Sequence, residues 1–152
     1  MMHYHATPED HAVLEKKGFL LVDSGATYMD GTTDITRTYP LGPLTEDEKR
    51  FYTWTLQSHI DLAKAVWLDY CECKMIDTIA REPLWRHLIN YRCGTGHSVS
   101  FVGNVHEGPH ALNSRNITRM RPGMVVTDEP GVRDRPRGHP HRERAGVRAQ
   151  GR

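Results

Sequence analysis

The chain has 152 residues, of which 38% are apolar and 26% are charged, a composition typical of a globular domain with one hydrophobic core. It contains no run of about 18 apolar residues and opens on a polar stretch, so we expect neither a membrane span nor a secretory signal. We therefore predict a cytoplasmic location without a membrane partner. Three cysteines, an odd number, favour reduced thiols over a disulfide framework.

The charge is divided unevenly along the chain. Residues 131–152 carry seven Arg against one Asp and one Glu, a net charge of +5, which leaves −4 for residues 1–130. The basic stretch has no aromatic residue and no apolar period, so it cannot bury enough surface to offset the entropy of ordering. We divide the chain into a folded domain at 1–130 and an arginine-rich tail at 131–152, either disordered or the product of a reading-frame shift. Nucleic-acid binding is the functional alternative for this tail, but without aromatic residues to stack on bases we expect no such partner.

The first predicted element is a β-hairpin. An apolar strand at 18–22 runs into Asp23, and an Asp-Gly turn signal then precedes a β-branched returning strand at 32–38. Because side chains alternate along a strand, Asp34 can share a face with Asp23 if the register permits. Two explanations of these aspartates stay open, since aspartate forms turns and also binds metal ions.

Two helices are predicted next. A capping box that starts at Thr45, followed by an amphipathic stripe, predicts a long helix that ends near Leu68. A shorter helix is expected at about 74–81, and Pro83 would kink or restart any continuation. We expect Arg81, at its end, to be a solvated or paired surface charge.

The second half of the chain supplies further polar candidates. His97 follows a Gly-Thr-Gly turn, His106 precedes a turn expected near Gly108, and a strand predicted at 124–127 leads to Glu129. Carboxylates with one imidazole form the ligand set of divalent ions such as Mn²⁺, Co²⁺ or Zn²⁺. For the two histidines, a structural role with ordinary hydrogen bonds stays open.

Four motifs carry a resemblance to a known family. They are DSGATYMDGTTDITRT at 23–38, GTGH at 94–97, NVHEGP at 104–109 and GMVVTDEPG at 123–131. Their order and approximate spacing resemble the catalytic domain of the Xaa-Pro aminopeptidases, or aminopeptidase P. The resemblance implies an α/β fold of the pita-bread type, shared with prolidase and methionine aminopeptidase and present here as an incomplete domain.

The resemblance also implies a metal centre. It makes Asp23 a ligand to one metal ion, Asp34 a carboxylate that bridges two ions, His97 the imidazole ligand and Glu129 a further ligand. Two divalent ions are implied, with Mn²⁺ expected first and Co²⁺ or Zn²⁺ as alternatives. Such ions activate water and polarise a scissile carbonyl.

Catalytic and substrate-binding roles follow from the same resemblance. Glu129 would also assist as general base, His106 would stabilise the tetrahedral intermediate, and both His3 and His106 would contact the substrate. The implied reaction removes an N-terminal residue that precedes proline. The implied partners are peptides with proline in the second position, and a homo-oligomer is an option.

Two of the departures from the family pattern concern the site itself. The family has a second bridging glutamate on a strand after the EPG motif, whereas the only glutamate downstream here is Glu143 in the basic tail. Cys93 stands where the family has a pocket-lining histidine. The missing glutamate favours an alternative function, a non-catalytic pita-bread module that binds peptides or proteins and has lost its full metal centre. The enzyme is favoured by the presence of the other site residues, Asp23, Asp34, His97, His106 and Glu129. A third hypothesis is a structural zinc site, with the ligands Cys71, Cys73, Cys93 and His97.

Overall fold

The computed structural model describes residues 6–134 and 144–148, the latter segment and residues 133–134 as backbone only. The described residues form two helices and three antiparallel strand pairs, β1 with β2, β3 with β4 and β5 with β6. In chain order the elements are β1 Phe19–Tyr28, β2 Gly31–Pro40, α1 Glu46–Ala63, α2 Cys73–Trp85, β3 Gly96–Ser98, β4 Glu107–Leu112, β5 Gly131–Asp134 and β6 Arg144–Arg148.

The predicted hairpin is present, with longer strands than expected. Strand β1 continues through Asp23 to Tyr28, and the pairing of Tyr28 with Gly31 leaves a two-residue turn. Asp23 lies opposite Thr36, whose side chain shares a face with that of Asp34 two residues earlier on the same strand. The prediction that the two aspartates share a face is therefore confirmed.

Helix α1 begins as predicted and ends early. The capping box is complete, since the Thr45 side chain accepts from the Glu48 amide and the Glu48 carboxylate accepts from the Thr45 amide. The helix ends at Ala63 and not near Leu68, and Val66 is 95% exposed. The apolar stripe loses its packing partner after Leu62, so the helical period beyond that residue has nothing to bury.

Helix α2 runs through Pro83 for two further residues, to Trp85, so the helix continues past the proline. Leu84, directly after the proline, is fully buried in the core. Burial of that side chain offsets the backbone hydrogen bond that a proline removes from a helix.

Two apolar clusters form the core around α2. One contains Leu62, Cys73, Ile76, Ala80, Leu112 and Met120, and the other contains Leu84, Ile89, Tyr91 and Val132. The helix packs both clusters against the strands, because its buried positions recur with a helical period. These clusters hold β4 and the segment before β5 next to the helix.

Three local expectations differ from the structure. Gly108, expected in a turn, lies within β4. Residues 124–127 are not a regular strand, although Thr127 and Glu129 donate backbone hydrogen bonds to His97 and Thr95. In the stretch where we predicted a tail, the backbone of 131–134 pairs with that of 144–148, two strands that the sequence pattern did not indicate. The division of the chain at residue 130 stays a prediction.

Neither helix among the described residues has the length and apolar content that a bilayer crossing requires.

Candidate metal centre

Three of the predicted metal ligands lie together. Asp34 comes from β2, His97 from β3 and Glu129 from the segment before β5, and their ligand atoms all lie within 4.8 Å of one another. Nε2 of His97 is 3.2 Å from Oδ2 of Asp34 and 3.0 Å from Oε1 of Glu129. The three side chains are 7–18% exposed, so solvent screens their charges only weakly.

The orientation of His97 suits a metal ligand. Its Nδ1 lies 3.1 Å from the carbonyl oxygen of Ser98, which accepts a hydrogen bond when that nitrogen is protonated. The lone pair of Nε2 then faces the two carboxylates. Metal-binding histidines commonly donate their second N–H to a carbonyl in this way, which fixes the tautomer and the ring orientation.

The surroundings of His97 favour a positive charge on its imidazole ring. Burial lowers the pKa of His97, but the hydrogen bond and charge of Glu129, the Ser98 carbonyl and the charge of Asp34 outweigh it, so the pKa lies above the ordinary 6.5. Two carboxylates and an imidazole are a donor set for a hard or borderline divalent ion. The described residues therefore fit one divalent ion, which would replace the proton on His97.

Gly96 allows the segments that carry His97 and Glu129 to meet. Two backbone hydrogen bonds join them, Thr127 N to His97 O at 2.9 Å and Glu129 N to Thr95 O at 2.6 Å. A Cβ atom on Gly96 would overlap the carbonyl oxygen of Thr127. The glycine of the GTGH motif is thus required by close contact between two backbones.

Asp23 lies on the same face but outside the three-residue group. It is exposed, and its Oδ1 accepts a hydrogen bond of 2.8 Å from the hydroxyl of buried Thr36. This hydrogen bond holds the Asp23 carboxylate on the face of the hairpin that also carries Asp34. The predicted role of Asp23 as a metal ligand stays a prediction.

His106 lies next to the site. Its ring packs edge-on against the ring of His97, with centroids 4.0 Å apart, and it is exposed. A group bound at the three ligands would therefore lie near this imidazole. His3, the other predicted substrate contact, falls outside the described residues, as does Glu143.

The zinc hypothesis is not supported. Cys73 is buried in the first core cluster with Cys71 packed against it, whereas Cys93 packs against the second cluster. Across residues 6–134 and 144–148, the only group of three or more metal-ligating side chains is Asp34, His97 and Glu129. His97 thus faces carboxylates and not thiols.

A buried histidine lies against Asp128, the residue before Glu129, a contact that the sequence analysis missed. Nδ1 of His59 in α1 lies 2.9 Å from Oδ2 of Asp128. Burial raises the pKa of Asp128 above its ordinary value, His59 opposes this shift, and the charge of Glu129 adds to it. The aspartate of the TDEP sequence and the histidine of α1 were both visible, but their pairing depends on the tertiary fold.

A cavity of about 500 Å³ reaches the site. Asp34, Asp128 and Glu129 are among the residues that line it. Most of the remaining wall is apolar, and includes Leu62, Trp67, Ile76, Leu112, Met120 and Val126. The carboxylates therefore face a space with few competing hydrogen-bond partners, in which electrostatic interactions are stronger than in water.

Comparison with known proteins identifies the class. The family model described as metallopeptidase family M24 matches residues 1–150. The chain belongs to this family.

Two named relatives within the family resemble this chain in sequence. The chain is 44% identical over 134 residues to a probable Xaa-Pro aminopeptidase P of Laccaria bicolor, which covers 86% of this chain and 21% of the relative. It is 44% identical over 133 residues to aminopeptidase P1 of Lotus japonicus, with 86% of this chain and 20% of the relative covered. The chain thus spans about a fifth of the length of these relatives.

Solved structures agree on the fold. The X-prolyl aminopeptidase of Caenorhabditis elegans, described as a cytosolic enzyme with a di-nuclear active site, matches with a TM-score of 0.73 at 35% identity, over 86% of this chain and 20% of that one. The prolidase of Pyrococcus furiosus matches with a TM-score of 0.71 at 29% identity, over 87% of this chain and 37% of that one. The predicted α/β pita-bread fold, present as part of a domain, is confirmed.

Proposed function

We propose that this chain carries the metal centre of an Xaa-Pro aminopeptidase, a hydrolase that removes an N-terminal residue preceding proline. The observation that supports this best is the close approach of Asp34, His97 and Glu129. The relatives named Xaa-Pro aminopeptidase or aminopeptidase P supply the substrate class.

Each residue of the site has a distinct role in this proposal. Asp34, His97 and Glu129 hold a divalent ion, which when bound supplies a lowered water pKa and polarisation of the scissile carbonyl. Glu129 also accepts the proton of the attacking water as general base. His106, beside the ring of His97, donates a hydrogen bond to the oxyanion that develops on the substrate.

A second ion requires further ligands. Asp23 lies next to Thr36 on the face that carries Asp34, so it is our proposed ligand for that ion, with Asp34 as the bridging carboxylate. We propose Mn²⁺, with Co²⁺ or Zn²⁺ as alternatives, because these ions accept mixed carboxylate and imidazole ligands. The second bridging carboxylate of the family has no counterpart among the described residues.

The partners follow from the same proposal. The substrates are peptides with proline in the second position, and His3 would contact them. We propose a cytosolic location, like that given for the C. elegans relative. A homo-oligomer would be compatible with this function.

Peptide hydrolysis tests the proposal. The Mn²⁺-loaded protein should release the first residue of a tripeptide with proline in the second position, and not of the same tripeptide with alanine there. Glu129→Gln should abolish release, and His106→Ala should lower kcat about 10²–10³-fold, the usual cost of losing one oxyanion donor. Glu107→Gln, a change at the exposed neighbour of His106, serves as control and should retain activity.

The alternative is a non-catalytic module that binds peptides or proteins. The exposed position of Asp23, outside the three-residue group, favours it. Binding of the proline-containing peptide without cleavage, unaffected by Glu129→Gln, would support this alternative and contradict the enzyme proposal.

A further inference from the structure

A buried polar cluster lies behind the proposed metal centre, where α2 meets the GTGH loop. Asp77 is 1% exposed, Arg81 is 7% exposed and Thr95 is fully buried. Oγ1 of Thr95 donates a hydrogen bond to Oδ1 of Asp77, while Nε of Arg81 donates to Oδ2 at 2.7 Å. Both oxygens of the aspartate thus accept hydrogen bonds, which fixes the Thr95 hydroxyl to the helix.

Arg81 holds the residues that lead to Thr95. Its guanidinium donates to the carbonyl oxygen of Tyr91 at 2.6 Å and to that of Cys93 at 2.9 Å, and it also lies 4.1 Å from the centroid of the Tyr91 ring. Residues 91, 93 and 95 are therefore all hydrogen-bonded to side chains of α2. A planar group with several donors suits such a set of fixed carbonyls.

The backbone of Thr95 continues this attachment to the ligands. Its carbonyl oxygen accepts from the amide of Glu129 at 2.6 Å, and its own amide donates to the carbonyl of Leu112 at 2.7 Å. His97 follows two residues later. The segments that carry two of the three metal ligands therefore meet at Thr95.

We propose that Thr95, fixed by Asp77, is a positioning residue that sets the distance between His97 and Glu129. This inference rests on the proposed function, because it assigns the distance a role in metal binding. Neither Thr95 nor Asp77 contacts the ion or the substrate in this account. They act through the backbone.

Isosteric variants distinguish the effect of the Thr95 hydroxyl group from the effect of the side-chain shape. Thr95→Val keeps the shape and leaves Oδ1 of Asp77 without the threonine donor, whereas Thr95→Ser retains the hydroxyl. Thr55 in α1 provides a matched control, because it is also fully buried and its hydroxyl donates to the Phe51 carbonyl at 2.8 Å. Thr55→Val removes one buried hydroxyl hydrogen bond away from the cluster, whereas Thr95→Val removes two, because Oγ1 of Thr95 also lies 2.5 Å from the Tyr91 hydroxyl.

Mn²⁺ affinity is the first readout, taken from the loss of the free-ion electron paramagnetic resonance signal at a temperature where every variant is folded. We expect Thr95→Val to raise the Kd about 10–100-fold, the usual effect of removing a group that orients a ligand, and Thr95→Ser to restore it. Thr55→Val should lower the Tm and leave the Kd unchanged. An unchanged Kd in Thr95→Val would overturn the proposal.

Amide hydrogen exchange of the metal-free protein gives a second, independent readout. If the native chain does not bind Mn²⁺, the proposed function fails, and exchange then decides the positioning role. Faster exchange of the Glu129 and Thr127 amides in Thr95→Val than in Thr55→Val would support it. Equal exchange in the two variants would overturn it.

Discussion

Nε2 of His97 lies 3.0 Å from Oε1 of Glu129, although the two residues belong to separate motifs. The backbone pairing of residues 95–97 with 127–129 produces this contact. Asp34 approaches the same nitrogen from the hairpin, at 3.2 Å. Three parts of the chain thus converge on one imidazole.

Gly96→Ala should separate the two ligand segments. The added methyl would overlap the Thr127 carbonyl, and because that atom belongs to the backbone, relief requires the paired segments to move apart. We expect the free energy of unfolding to fall by about 1–3 kcal/mol, as for other overpacked sites, and Mn²⁺ binding to be lost. Chemical denaturation and Mn²⁺ titration would measure both effects.

Gly94→Ala is the matched control for this change. A Cβ atom there would come no closer than 3.3 Å to its nearest neighbour, the Leu112 carbonyl oxygen. This variant should keep Mn²⁺ binding. If Gly96→Ala behaved in the same way, the close approach of the backbones would not be what assembles the site.

Metal affinity should rise with pH through the titration of His97. The raised pKa means that the metal-free folded protein keeps a proton on this imidazole to higher pH than the unfolded chain does. Stability from that proton is present below the ordinary pKa of 6.5 and is lost as the pH rises through the folded pKa. A metal ion must displace the same proton, so its affinity changes in the opposite direction.

The measurement is Mn²⁺ affinity by calorimetry in buffers of different ionisation enthalpy. We expect Mn²⁺ binding to release protons. The number of protons released should fall at pH values well above the His97 pKa. Binding that is independent of pH and releases no proton would show that His97 is not a ligand.

The sequence predicted which residues group at the site better than it predicted what supports them. Residue types and spacing alone left turn-forming and structural roles open for Asp34 and His97, and the resemblance of whole motifs to a known family singled out Asp34, His97 and Glu129, which the structure brings together. Arg81 was expected to be a solvated or paired surface charge; it is paired, with Asp77, but its surface placement is wrong, since the residue is 7% exposed. A signal was present: Asp77 and Arg81 continue the apolar face of α2 at positions next to Ile76, Ala80 and Leu84.

Other features depend on contacts between distant segments. The end of α1 at Ala63 follows from the loss of a packing partner beyond Leu62, which no local pattern in residues 64–68 shows. The pairing of Thr95 with Glu129 joins residues far apart in the chain, and the sequence carries no information on which backbone groups will meet.

Arg81→Ala should destabilise the protein strongly. The change leaves Asp77 buried without its cation and removes the donors that hold the Tyr91 and Cys93 carbonyls. Removing one partner of a buried ion pair lowers the free energy of unfolding by about 3–5 kcal/mol, because the other charge is left uncompensated. Thermal or urea denaturation would measure the loss.

Arg86→Ala provides the comparison. Arg86 also pairs with an acidic residue four positions earlier in α2, at 2.6 Å from Glu82, but its side chain is 72% exposed. Exposed pairs contribute little, so the Tm should change only slightly. Equal losses in the two variants would contradict the account of the buried cluster.

A thermal melt with and without Mn²⁺ tests the central claim most directly, with Asp34→Asn as the test variant and Asp30→Asn, an exposed change in the turn of the same hairpin, as control. A ligand that binds only the folded state adds about 2.7 kcal/mol of stability at 100 times its Kd. The account predicts that Mn²⁺ raises the Tm of the native chain and of Asp30→Asn, and not that of Asp34→Asn. A Tm indifferent to Mn²⁺ in all three, or raised equally in all three, would contradict it.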